Sequence, residues 1–123
     1  MTAGLFNGTE LAQDNAIIVE GPLRSGHKLD YDGSIVILGD VNAGAEVRAT
    51  GHILVFGALR GMAHCGSAGN TAAKVSALLL FPTQLRIADH ITCPPRGYGE
   101  IAGRGPEIAG ITDNRVVIEQ LTV

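Results

Sequence analysis

An all-β solenoid built from triangular coils of roughly 18 residues is the fold this sequence predicts, on the strength of a gapless internal repeat and an excess of glycine at fixed places in it. Three segments, Asn15 to Asp32, Gly33 to Thr50 and Gly51 to Ala68, align at a constant spacing of 18. Ile17, Ile35 and Ile53 share one column; Val19, Ile37 and Val55 another; Gly21, Gly39 and Gly57 a third; Leu23, Val41 and Leu59 a fourth. The spacing divides again by three. Counting by sixes from Ile17 gives Leu23, Leu29, Ile35, Val41, Val47, Ile53, Leu59 and Cys65, all aliphatic except the last, a small apolar thiol. Four residues beyond each stands Gly or Ala, with His27 the exception. Six residues suffice for one short strand and a bend, so three such sides close a triangle. Each coil then satisfies its backbone groups on the coils above and below. An aliphatic side chain fills the narrow prism, and a small residue lets the corner turn. A helical period of 3.6 does not keep every sixth residue on one face.

Beyond Ala68 the register weakens. Gly66-Ser-Ala-Gly-Asn-Thr reads as an insertion or turn, and Ala72 to Ala88 resumes a less regular apolar pattern. The stretch from Cys93-Pro-Pro-Arg-Gly to Gly105-Pro is a surface loop by composition. Arg115 to Leu121, introduced by the turn pair Asp113-Asn114, is a final strand expected to cap the stack, whose open end otherwise exposes unpaired backbone. Residues 1–14 are expected to be a flexible leader, and 15–123 the β-helix domain.

Composition excludes several function classes. With 17 glycines, no tryptophan and three phenylalanines in 123 residues, the core must be made of Ile, Val, Leu and Ala. A net charge of −3 and only nine scattered Lys and Arg leave no footprint for nucleic-acid phosphates. The start lacks the charged and apolar regions of a secretory signal, and the longest unbroken apolar run, Ala77 to Phe81, is far too short to insert in a bilayer. Cys65 and Cys93 have neither CxxC nor Cys/His metal spacing and read as two free thiols in a reducing cytoplasm. Gly61 to Gly66 has the glycine spacing of a phosphate loop, but Ser67 follows where a Lys is needed. Gly103-Arg-Gly does not open a helix after a strand, so no dinucleotide site is expected either. No cofactor and no metal are implied.

Strand alternation singles out one surface. If Ile17, Ile35 and Ile53 point inward, Ile18, Val36 and Leu54 must point outward, and Leu38 and Phe56 widen the apolar stripe. Leu78 and Leu80 are expected to continue it. Either the chain's own tail covers this face or a second copy does; a stripe this wide favours a homodimer.

Leu23-Arg-Ser-Gly-His, Val41-Asn-Ala-Gly-Ala-Glu-Val, Gly51-His-Ile-Leu-Val-Phe-Gly-Ala-Leu-Arg-Gly, Gly69-Asn-Thr-Ala-Ala-Lys-Val and Arg115-Val-Val-Ile-Glu occur in fixed order. In these motifs the chain resembles the C-terminal domain of the bacterial division inhibitor MinC from about Ile17 to Leu121. The resemblance implies a right-handed β-helix that dimerises through an apolar face, here Ile18, Val36, Leu38, Leu54 and Phe56. It also implies binding to the ATP-bound, membrane-associated ATPase MinD and a contribution to binding the tubulin-like FtsZ. It therefore implies a cytoplasmic protein recruited to the membrane, where septum assembly is blocked at wrong sites. The family's MinD-contact motif Arg-Ser-Gly-Gln is matched by Arg24, Ser25 and Gly26, with His27 in place of Gln, and Gly44 falls in a second matching motif. For Arg24 the bland reading is a solvated corner arginine, and for Gly44 a purely structural glycine. An FtsZ contact is implied at Arg60, although Met62 stands where the family commonly has a basic residue. Full-length members also carry an inhibitory N-terminal α/β domain, which the few residues before Asn15 do not form.

Two other classes share hexad-rich coils. A left-handed β-helix acyltransferase needs a histidine base, for which His27, His52, His64 and His90 are the candidates, without an evident acidic partner. A bactofilin-like filament former needs open coil ends, which the final strand argues against.

Overall fold

A computed structural model of the chain describes residues 15–93 and 105–121. Among them there is no helix; the elements are eleven strands. One sheet runs β1 (Ala16–Glu20), β3 (Ser34–Leu38), β5 (Ile53–Leu59) and β7 (Val75–Leu80), all parallel, followed by β10 (Glu107–Thr112) and β11 (Arg115–Gln120). A second sheet holds β2 (Lys28–Tyr31), β4 (Glu46–Ala49), β6 (Met62–Cys65), β8 (Gln84–Ile87) and β9 (His90–Thr92). The third side carries only the ends of β5 and β7, where Ala58 and Leu59 pair with Leu79 and Leu80, and the parallel bridges Leu23↔Val41 and Val41↔Leu59. Its coils are nevertheless tied together by backbone bonds such as Leu23 N–H to Asp40 O and Val41 N–H to Ala58 O, both 2.9 Å. Three sides, stacked coil on coil, make the triangular solenoid that the hexad spacing predicts.

The core is the set of inward columns. Ile35, Ile37, Val41, Val47, Ile53, Val55 and Leu59 are all essentially inaccessible to solvent. The in-register pairing Ile17↔Ile35↔Ile53 stacks like on like along the axis. At the exposed first coil, Ile17, Val19, Leu29 and Tyr31 are only partly buried.

In three places the structure departs from the regular repeat. First, Val47 stacks on Ala63, not on Cys65, so the third coil is two residues short between its third side and its second sheet. Ala63 and Cys65 are both fully buried as alternate inward residues of β6. The missing residues come out of the corner at Arg60-Gly61, which closes tightly because Gly61 has no Cβ; a Cβ there would collide with the carbonyl oxygen of Ala45. Second, the pairing of β5 with β7 shifts between Val55 and Ala58, so Leu80 lies against the inward Leu59 and is buried. Of the two expected continuations of the outer stripe, Leu78 is exposed and Leu80 is core. Third, capping takes a hairpin instead of one strand. β10 pairs antiparallel with β7, and β11 with β10, through a two-residue turn at Asp113 and Asn114 with φ of 50° and 66°. Ile111, Val116 and Ile118 pack against the core at that end. The insertion or turn expected at Gly66 to Thr71 is present and runs on to Lys74, so regular structure resumes at Val75 and not at Ala72. The leader at 1–14 and nearly all of the loop from Cys93 to Gly105 lie outside the described residues.

Candidate functional site

Two stacked corners bring the motif residues together. Arg24 to His27 is a β-turn whose His27 N–H donates to Arg24 O at 2.9 Å. Asn42 to Ala45, one coil along, repeats it, with Ala45 N–H donating to Asn42 O at 3.0 Å. Each turn carries glycine at its third position, Gly26 with φ +92° and Gly44 with φ +87°, a left-handed conformation that a side chain there would strain. The turns are joined by Gly26 N–H to Gly44 O and by Glu46 N–H to His27 O, both 3.0 Å. A Cβ on Gly44 would run into Ser25, so Gly44 is what lets the two corners close up. Arg24, Ser25, Gly26, His27 and Gly44 are all exposed. Among the described residues the Arg24 guanidinium has no ion-pair or hydrogen-bond partner, leaving its donors free for another molecule. His27 behaves differently from an outward contact residue, since its ring Nδ1 accepts the backbone N–H of Arg24 at 3.0 Å.

Arg60 occupies the shortened corner on the next coil. Its backbone N–H donates to Val41 O at 2.8 Å, and its guanidinium stands 3.6 Å from the Asp40 carboxylate in a half-exposed pair. Such a pair is weak enough to be exchanged for a partner's carboxylate.

The apolar stripe lies on the outer face of the first sheet. Ile18, Val36 and Leu54 line up across β1, β3 and β5 by register, with Leu38 beside Phe56 in the neighbouring row. Ile18 is 69% exposed, Phe56 50%, Leu78 48% and Leu38 44%, while Val36 and Leu54 are half-buried between neighbours. The row of Ile18, Val36 and Leu54 ends at Ser76, which pairs with Leu54 and donates its hydroxyl to Glu107 O at 2.9 Å. β10 and β11 extend the sheet edge-on instead of lying over the stripe.

The four histidines do not converge. Nδ1 of His52 accepts Lys74 N–H at 3.0 Å, and Nε2 of His64 donates to Ala88 O at 2.8 Å. Burial chiefly, with Lys74 near His52 and Arg86 and Arg48 near His64, holds both imidazoles below their ordinary range, so both are neutral at pH 7. His90 stands 3.1 Å from the exposed Asp89 and 3.2 Å from Asn114 Oδ1, with no nucleophile among those partners. No group of three His, Cys, Asp or Glu side chains comes together among the described residues. Sequence reasoning passed over the outer face of the second sheet, where Lys28 pairs with Glu46 at 3.4 Å beside a depression of about 310 Å3 also lined by Asp30, Arg48, His64 and Arg86. The visible signal was the 18-residue spacing of Lys28 to Glu46 and Asp30 to Arg48.

Both cysteines are free. Burial pushes the Cys65 thiol up to about 12, whereas Cys93 is exposed. Ellman's reagent will therefore titrate one thiol per native chain and two after denaturation; a second fast-reacting thiol in the native protein contradicts the burial of Cys65.

The family model for the septum formation inhibitor MinC, C-terminal domain, matches residues 17–121. The chain belongs to this family. The probable septum site-determining protein MinC of Acetivibrio thermocellus is 54% identical over 62 residues, covering 50% of this chain and 27% of that protein. Its counterpart in Heliobacterium modesticaldum is 52% identical over 61 residues, covering 50% of this chain and 21% of that protein. The matched region thus spans about a quarter of these curated relatives. A chain from the MinC:MinD cell division protein complex of Aquifex aeolicus superposes with a TM-score of 0.85 at 36% identity, covering 89% of both chains. Family and fold are those of a septum formation inhibitor's β-solenoid. Among the described residues no helix is long and apolar enough to cross a membrane.

Proposed function

We propose that this chain is a non-enzymatic dimerisation and recruitment domain of a cell-division inhibitor. It pairs with a second copy through Ile18, Val36, Leu38, Leu54 and Phe56 and offers MinD the corner of Arg24, Ser25, Gly26, His27 and Gly44. The observation that carries this reading is the corner itself. Two glycine turns are stacked so that an unpaired arginine and a serine project from a rigid edge, in a fold shared with a chain of a MinC:MinD complex. A guanidinium presents several fixed donors, suited to carboxylates and carbonyls on a protein surface. A two-fold dimer carries two such corners and meets two MinD molecules at once, which multiplies weak contacts by avidity. ATP hydrolysis and membrane attachment belong to MinD in this scheme, so the domain works in the cytoplasm and reaches the membrane only when recruited. There it helps target FtsZ, with Arg60 as the contact, so that septum assembly is blocked at wrong sites.

Retention of the purified chain by MinD in ATP and its release in ADP is the expected result. Arg24→Ala should lower the affinity at least about 10-fold, the cost of removing a charged hydrogen-bonding anchor, with the sedimentation coefficient unchanged. Equal affinity for wild type and Arg24→Ala removes the corner from the interface.

A further inference from the structure

We infer that His27 is the positioning residue of the Arg24 corner and fixes the chemistry the corner recognises. The ring nitrogen Nδ1 accepts the backbone N–H of Arg24 at 3.0 Å, while the His27 N–H donates to Arg24 O at 2.9 Å. The turn is thereby clasped twice between the same two residues, once through the backbone and once through the side chain. An imidazole nitrogen that accepts a hydrogen bond carries no proton, so the proton of the neutral ring sits on Nε2. His27 is exposed, and Nε2 has no partner among the described residues. The corner therefore presents an N–H donor of fixed direction on the same turn as the exposed Arg24 guanidinium. Both are donors, and the matching group on a partner is an acceptor, a carboxylate or carbonyl oxygen. A side-chain amide in this place offers donor and acceptor alike; the imidazole, with its acceptor already engaged by the chain's own backbone, offers only the donor. A lone exposed histidine would hold this orientation poorly. Here the clasp, together with the bonds from Gly26 N–H to Gly44 O and from Glu46 N–H to His27 O, immobilises the ring's base on two coils.

The identity of the partner rests on the MinD reading above; the clasp does not. The decisive measurements are therefore made first on the free, full chain. A long-range proton–nitrogen spectrum at pH 7.5 should show His27 protonated at Nε2 and bare at Nδ1. Hydrogen exchange at the Arg24 amide should be slower than in His27→Ala by about 10-fold, the worth of one ordinary hydrogen bond. Two substitutions then separate the roles. In His27→Asn the oxygen Oδ1, bonded to Cγ as Nδ1 is, can keep the Arg24 amide protected, while the donor, now Nδ2 on Cγ, falls one bond short of the place of Nε2. In His27→Gln the amide nitrogen reaches the place of Nε2, but Arg24 N–H loses its acceptor. Expected is an Arg24 amide protected in Asn and unprotected in Gln, with MinD affinity of the Asn variant down by about 10-fold. A proton on Nδ1, or Arg24 exchange unaffected by His27→Ala, overturns the clasp. Undiminished MinD affinity in His27→Asn overturns the donor role. If wild type itself fails to bind MinD, the partner assignment fails, while spectrum and exchange still decide whether His27 holds the corner.

Discussion

Val36→Glu will convert the proposed dimer to a folded monomer. Val36 sits in the middle strand of the stripe, in register with Ile18 on one side and Leu54 on the other. Its side chain points away from the prism, so in a single chain the new carboxylate meets water and the coil stack is undisturbed. In a two-fold interface the change enters twice, and each carboxylate is buried against apolar side chains with no cation opposite. Leaving a buried charge unpaired costs about 3–5 kcal/mol, so the dimer should weaken by at least about 100-fold. Sedimentation velocity at tens of micromolar should show the mass halved, with an unchanged far-ultraviolet spectrum. An unchanged mass moves the interface off this sheet, and a wild-type chain that is already monomeric removes the interface altogether.

Leu59→Ala will cost stability instead of assembly. Leu59 is fully buried on the third side, bridged to Val41 in the coil before and paired with Leu80 in the coil after. Truncating it removes three heavy atoms from a prism whose walls are fixed by backbone ladders on every side, so the void has little means to collapse. Large-to-small changes of this kind cost about 2–5 kcal/mol, a large share of the stability of a domain this size. Urea denaturation should show the midpoint falling in proportion, with the slope unchanged. Leu38→Ala is the control, with both truncations made in the monomeric Val36→Glu chain: Leu38 is 44% exposed on the stripe, and its loss there should cost less than about 1 kcal/mol. Comparable losses at both positions contradict the division into filled prism and outer stripe.

The repeat was legible because each inward column must be aliphatic and each tight corner small, whatever the neighbouring coil does. That made Ile17, Ile35 and Ile53 readable as stacked core and Ile18, Val36 and Leu54 as their outward neighbours. The irregularities were not readable, since each is a compromise between coils. A two-residue shortening at Arg60-Gly61 is tolerated only because Gly61 packs under the Ala45 carbonyl. Cys65 satisfied the hexad count yet follows Ala63, which is the residue actually stacked on Val47. Leu80 moved from stripe to core through a register shift in β5 and β7 that composition does not encode. At the candidate corner the residue types were visible, but the use of the His27 ring was not: hydrogen-bond direction is a matter of ångströms and angles between two residues of one turn.

Taken alone, the sequence determined the coil period, the aliphatic filling, the outward apolar columns and the family motifs. Each of these follows from short-range alternation repeated often enough to leave few other ways of burying the side chains. Only the tertiary structure decided where a coil is shortened, which leucine turns inward, how a hairpin caps the stack, and which nitrogen of His27 faces outward. Those outcomes depend on the fit between neighbouring turns and coils, where one atom's presence or absence selects the register.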